Sequence, residues 1–150
     1  MRSVADFCSG GALAVPDGDA VVAPINDLVE KFQADGNPIY LTRDWHPADH
    51  SSFSDQGGLW PAHCVAGTIG AEFHPDLQVG EGMILISKAT EREADAYSGF
   101  EGTDLGSQLL TEGISEVLVC GLATDYCVKA TALDAVKAGL VTTVLTDAMR

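Results

Sequence analysis

Cys127, Lys88 and a group of histidines around Asp44 are the residues whose types and spacing could do chemistry. Cys127 lies in Gly121-Leu122-Ala123-Thr124-Asp125-Tyr126-Cys127-Val128. Before it, Glu116-Val117-Leu118-Val119-Cys120 is an apolar, β-branched run that reads as a buried strand. After it, a helical pattern runs from Asp125 to Ala138 and stops at Gly139. A cysteine in the first turn of a helix faces free N–H groups and the positive end of the helix dipole. Both favour a thiolate, and the same N–H groups could hold an oxyanion. By itself Cys127 reads equally well as a small buried residue.

Asp44-x-His46-x3-His50, with His63 further on, puts three of the four histidines and a carboxylate into one short span. Neutral imidazole and carboxylate ligands suit zinc, iron or manganese(II). His74, in Phe-His-Pro, has no evident role and reads as a surface histidine. Lys88 ends the apolar run Met83-Ile84-Leu85-Ile86-Ser87. A buried ammonium is costly without a partner. Beside Cys127 it would favour the thiolate; alternatively it snorkels to solvent at the sheet edge. Phe7, Trp60 and Tyr97, all in loops, could wall a pocket for a flat ring.

The elements that must position these groups alternate. A helix is expected over Asp19–Ala34, a strand over Pro38–Thr42, a strand over Met83–Ser87, and a short helix over Asp104–Glu112. The Val117 strand, the Cys127 helix and a strand over Val141–Thr146 follow. Residues 43–75 show little periodicity, and loops that long are usually functional. Strands alternating with helices imply a parallel sheet covered on both faces. Its sites then lie at the carboxyl ends of the strands. Asp44, Lys88 and the Leu122–Cys127 turn each follow or end a strand, so they should share one edge.

The chain has 150 residues, which suits one domain, and its composition is that of a globular fold. Acidic residues outnumber basic ones 22 to 8, for a net charge of −14, which argues against nucleic acid or an anionic membrane as partner. No apolar run approaches the length of a membrane span, and no signal-peptide pattern opens the sequence. The four cysteines show no CxxC spacing, so a reduced, cytoplasmic setting is expected.

Five stretches in this order resemble the nicotinamidase/pyrazinamidase branch of the isochorismatase-like cysteine hydrolases. They are Asp6-Phe7-Cys8-x-Gly-Gly-x-Leu-Ala-Val, Thr42-Arg43-Asp44-Trp45-His46-Pro47-x-x-His50, Trp60-Pro61-x-His63-Cys64-Val65-x-Gly67-Thr68, Ala96-Tyr97-Ser98-Gly99-Phe100 and the Gly121–Val128 turn. The resemblance implies a three-layer α/β/α, Rossmann-like fold with a mainly parallel sheet. It implies hydrolysis of nicotinamide to nicotinate and ammonia within NAD recycling, with Cys127 as nucleophile through a thioester and Lys88 as the catalytic lysine. Leu122-Ala123 matches the family's cis peptide, which shapes the oxyanion hole. Asp44, His46 and His63 match the ligands of one divalent ion, zinc, iron or manganese, with His50 a fourth. The ion would hold the pyridine nitrogen while Phe7, Trp60 and Tyr97 sandwich the ring. A homo-oligomer is compatible with the resemblance.

Two departures stand out. The family pattern Asp-x-Gln-x-Asp-Phe ends at Asp6-Phe7, and counting back puts Arg2 where its catalytic aspartate belongs and Val4 where its glutamine belongs. Arginine cannot act as a base, so turnover should fall by about 10²–10⁴. The first strand is expected to be largely missing, leaving a single domain over 1–150 incomplete at both termini. The alternatives are a catalytically dead metal- or ligand-binding remnant, and a hydrolase of another small aromatic amide.

Overall fold

The computed structural model describes residues 4–150. Three helices and four strands carry the fold: α1 (Val22–Ala34), β1 (Tyr40–Asp44), β2 (Ile84–Lys88), α2 (Leu105–Thr111), β3 (Glu116–Gly121), α3 (Lys129–Lys137) and β4 (Val141–Met149). Short 3-10 turns fill the long irregular segments, at Ala5–Phe7, Gly18–Val21, Ser54–Gln56 and Ile69–Ala71.

Helix α1 starts three residues later than its apolar pattern suggests, because Gly18–Val21 forms a 3-10 turn that leads into it. Pro24 sits in the first turn of α1, where its missing N–H would have no intrahelical partner anyway. Val22, Ile25 and Val29 fall on one face and are buried. They join Val4, Phe7, Cys8, Leu77, Cys120 and Leu122 in the main core. A second core gathers Ile86, Leu105 and Leu109, so α2 packs on the β2 side.

Both strand pairs are parallel; α3 makes the crossover from β3 to β4, and the long segment 45–83 with its short 3-10 turns makes the one from β1 to β2. Strands β1 and β2 pair from Tyr40–Ile84 to Asp44–Lys88. Strands β3 and β4 pair from Glu116–Val141 to Gly121–Met149, with a shift in register between Val119 and Gly121. That irregularity carries β4 three residues beyond the expected Thr146. Among the described residues the four strands form two separate two-stranded sheets. No described helix is long and apolar enough to cross a membrane.

Candidate active site

The β1–β2 register decides the centre of the site. It places Asp44 directly opposite Lys88 at the carboxyl end of the pair. The two side chains make an ion pair through Lys88 Nζ and Asp44 Oδ1. Lys88 Nζ also donates to the Ala96 carbonyl at 2.7 Å and to Cys127 Sγ at 3.5 Å. An ammonium has three donors, so all three are used. Lys88 therefore does not snorkel; it is 2% exposed. Burial presses its ammonium toward neutrality, but Asp44 and Cys127 outweigh that pressure and raise its pKa.

Cys127 reaches this cluster from the other sheet. The segment after β3 is not the plain α-helical start that its pattern suggests. Thr124–Val128 forms a π-helical turn, and α3 begins at Lys129. The Leu122–Ala123 peptide is cis. The Thr124 N–H donates to the Arg150 carbonyl at 2.7 Å, which ties the turn to the end of β4. The expectation that this position favours a thiolate is corrected by burial. Cys127 is 5% exposed. Desolvation pushes its thiol up to about 11, although Lys88 and the Ala123 amide pull it down. At rest the sulfur is a protonated thiol.

A cavity of ≈260 Å³ opens in front of Cys127. Its walls bring together Phe7, Trp60, Tyr97, Asp44, His46 and His63. Trp60 Nε1 donates to the Tyr97 hydroxyl at 3.2 Å. The sequence reading missed Tyr126, which lies edge-on to Trp60 at 5.5 Å and 5.6 Å from Tyr97 between ring centroids. Its place beside Cys127 in the turn was the available signal.

The histidines are positioned by backbone. The His46 N–H donates to the Cys64 carbonyl at 3.0 Å, and the His46 carbonyl accepts from Ala66 N–H at 2.8 Å. This short parallel ladder lays the His63 loop against the end of β1. His46 Nδ1 faces the Ala89 carbonyl at 3.2 Å, and His63 Nδ1 faces the Pro61 carbonyl at 2.8 Å. A carbonyl only accepts, so each Nδ1 carries the proton and each Nε2 keeps a bare lone pair. Burial lowers the pKa of His46 to about 4, which keeps it neutral. Both rings have the form a metal ligand needs. Phe53, 1% exposed, packs against His46, His50 and His63 at 5.5–5.6 Å.

His50 differs. Its Nδ1 accepts from Ser52 N–H at 3.3 Å, so the ring proton sits on Nε2, which points at the Ala94 carbonyl at 3.4 Å. Both ring nitrogens of His50 are engaged. The donor set of Asp44, His46 and His63 suits a divalent ion in kind, although its atoms do not all lie within 4.8 Å of one another. Among the described residues the group that meets that measure is Cys8, Asp19 and His74. Here the proton positions oppose a metal. His74 Nδ1 accepts from Asp76 N–H at 3.2 Å, leaving the proton on Nε2, 3.2 Å from Asp19 Oδ1. His74 thus donates to Asp19, a partner its sequence context did not suggest.

Asp6 lies outside the cluster around Lys88. Its Oδ2 accepts from Cys64 N–H at 2.7 Å and its Oδ1 from Ala12 N–H at 3.1 Å. It pins the glycine-rich loop to the His63 loop. Arg2, aligned above with the family's aspartate, lies outside the described residues.

Comparison with known proteins bears on the whole arrangement. The isochorismatase domain matches residues 3–150. The nicotinamidase/pyrazinamidase of Mycobacterium tuberculosis is 45% identical over 150 residues, covering 95% of this chain and 79% of that protein. The crystal structure of a pyrazinamidase of Pyrococcus horikoshii in complex with zinc superposes with a TM-score of 0.96 at 50% identity, covering 99% of this chain and 82% of that one. A structure from L. infantum in complex with nicotinate superposes with a TM-score of 0.87 at 36% identity, covering 99% of this chain and 77% of that one. With its parallel strands, its cysteine turn and this extent of likeness, the chain belongs to the isochorismatase family of hydrolases.

Proposed function

We propose that the chain hydrolyses nicotinamide to nicotinate and ammonia, with Cys127 as the nucleophile. The observation that carries this reading is the ≈260 Å³ cavity that holds Cys127 beneath Phe7, Trp60 and Tyr97. Flat aromatic walls suit a pyridine ring. The Mycobacterium tuberculosis relative is a nicotinamidase/pyrazinamidase, and nicotinate is the ligand in the L. infantum structure.

Asp44, His46 and His63 would hold a divalent ion, joined by His50 once its Ala94 contact is given up. Zinc is the ion in the Pyrococcus horikoshii structure. When bound, such an ion supplies a Lewis-acid anchor for a pyridine nitrogen. The chain's own residues do the rest. The thiol proton leaves to water in the cavity, and the Lys88 ammonium, 3.5 Å from Cys127 Sγ, stabilises the thiolate that remains. The thiolate attacks the amide carbon, and the Ala123 amide stabilises the oxyanion. A water proton passes to the leaving nitrogen, so ammonia departs and an acyl thioester remains. Water then splits the thioester, giving nicotinate and restoring the Cys127 thiol.

Residues 1–150 act here as a single domain, in the cytoplasm, as a monomer or a homo-oligomer. Acid-quenched mass spectrometry after mixing with nicotinamide tests the reading. A mass gain of one nicotinoyl group on Cys127 is expected; none under any metal condition would count against it. Competition by other small aromatic amides defines the substrate range. Arg2, standing where the family pattern has its catalytic aspartate, favours a second reading, a protein that binds metal and ligand without turning over. Binding of nicotinamide with no adduct would select it.

A further inference from the structure

We propose that Asp95 and Asp125 make the cavity at Cys127 select for charge, admitting a neutral amide and expelling the carboxylate that hydrolysis leaves behind. The residues that line this cavity divide by depth. Phe7, His63 and Cys127 are buried and belong to its floor. Asp95, Tyr97, Asp125 and Tyr126 are exposed and stand at its rim. Among the described residues no lysine or arginine lines the cavity, and the charged side chains at the rim are both aspartates. The buried Lys88 ammonium does not offset them, because Asp44, the Ala96 carbonyl and Cys127 Sγ already engage it.

The two carboxylates reach the rim from different strands. Asp95 belongs to the loop after β2, where the Ala96 N–H donates to its Oδ1 at 3.0 Å and fixes its direction. Asp125 sits in the π-helical turn after β3, two residues ahead of Cys127. Their neighbours Tyr97 and Tyr126 lie 5.6 Å apart between ring centroids, so both carboxylates border the same stretch of rim. Among the described residues neither forms an ion pair. Burial raises the pKa of the Tyr97 hydroxyl against the Trp60 bond that lowers it, and the Asp95 charge adds to the rise. The field of Asp95 thus reaches the aromatic wall.

Hydrolysis turns a neutral amide and a water molecule into a carboxylate and an ammonium ion. The rim charges act little on the amide, repel the carboxylate and draw the ammonium outward. Apolar walls focus such a field within a cleft. One unit charge acting across about 7 Å of water changes the occupancy of an anion by about threefold, and two act together here. The aromatic walls hold substrate and product rings alike, so the rim carboxylates are what separates the two. Expulsion of the product rests on the nicotinamide reading, whereas the charge selection stands without it.

Alkylation of Cys127 reads this field without turnover. Iodoacetamide and iodoacetate attack a thiolate in the same way and differ in charge, so the ratio of their rates cancels the thiolate fraction. The ratio is followed by mass spectrometry of the Cys127 peptide in the 150-residue chain, at about 10 mM salt, where the Debye length is about 30 Å. In Asp95→Asn/Asp125→Asn the preference for iodoacetamide should fall at least about threefold, and Asp95→Glu/Asp125→Glu should keep it. The difference between the asparagine variant and its parent should vanish at about 1 M salt. A ratio unchanged by the asparagine changes, a difference that persists at high salt, or a glutamate variant that behaves like the asparagine one would overturn the proposal. With turnover, inhibition by nicotinate should strengthen by the same factor in the asparagine variant; unchanged inhibition would overturn the expulsion of product. Absence of turnover counts against the nicotinamide reading, while the alkylation ratio still decides the charge selection.

Discussion

Asp44 and Lys88 face each other at the last rung of the β1–β2 pair, and their ion pair carries the Lys88 ammonium to 3.5 Å from Cys127 Sγ. Both side chains are almost fully buried. Removing one partner strands the other charge in the interior, which typically costs about 3–5 kcal/mol. Lys88→Met should therefore destabilise the metal-free chain by about that amount, read as a lower urea midpoint. Adding Asp44→Asn to it should cost less than the two single changes summed. A simple sum would mean that the two groups do not interact.

The raised pKa of Cys127 fixes a pH dependence. Its folded value, about 11, lies above the ordinary thiol value of 9.0. The reactive thiolate is thus scarce at neutral pH, and alkylation by iodoacetamide should speed up about tenfold per pH unit from 7 to 10. The folded state also holds this proton more tightly than the unfolded chain does. Its contribution to stability is full below pH 9 and is lost as pH rises toward 11. An alkylation rate that levels off near pH 7 would show a thiolate already formed.

Tyr126 closes the aromatic wall with Trp60 and Tyr97. Losing one aromatic pair interaction is worth about 0.5–1.5 kcal/mol. Tyr126→Ala should raise the KM for nicotinamide by about three- to tenfold and leave kcat within about twofold. A change in kcat alone would place Tyr126 at the chemistry rather than at the wall.

Asp6 is the clamp between two loops, and Gly70 makes room for it. A Cβ added at Gly70 would meet Asp6 Oδ2 at 2.2 Å. Gly70→Ala must displace the carboxylate from Cys64 N–H and Ala12 N–H. A loss of about 1–3 kcal/mol is expected. Because His63 precedes Cys64, zinc affinity measured by competition with a chelator should fall with it. Unchanged zinc affinity in a destabilised variant would separate the clamp from the histidines.

Much of this was legible in the sequence because strand ends announce themselves. Lys88 closes an apolar run, and Asp44 and Cys127 each come just after an expected strand, so their shared edge could be deduced before any coordinates. The protonation state of Cys127 could not. It depends on how far burial outweighs one ammonium and one amide, which is a tertiary balance. Nor was the Lys88 bond to the Ala96 carbonyl visible, since a backbone acceptor leaves no trace in residue type. His74 read as a surface residue because its partner, Asp19, lies 55 positions away (74 minus 19) and meets it only on folding.

The central claim is that Cys127 attacks nicotinamide. Ammonia and nicotinate should be measured together, with zinc, iron or manganese supplied, for the chain and for Cys127→Ala. The account predicts equimolar release by the chain and a loss of at least about 10³-fold in the variant. Equal release by both proteins, or no release by the chain with any of the three metals, would contradict it.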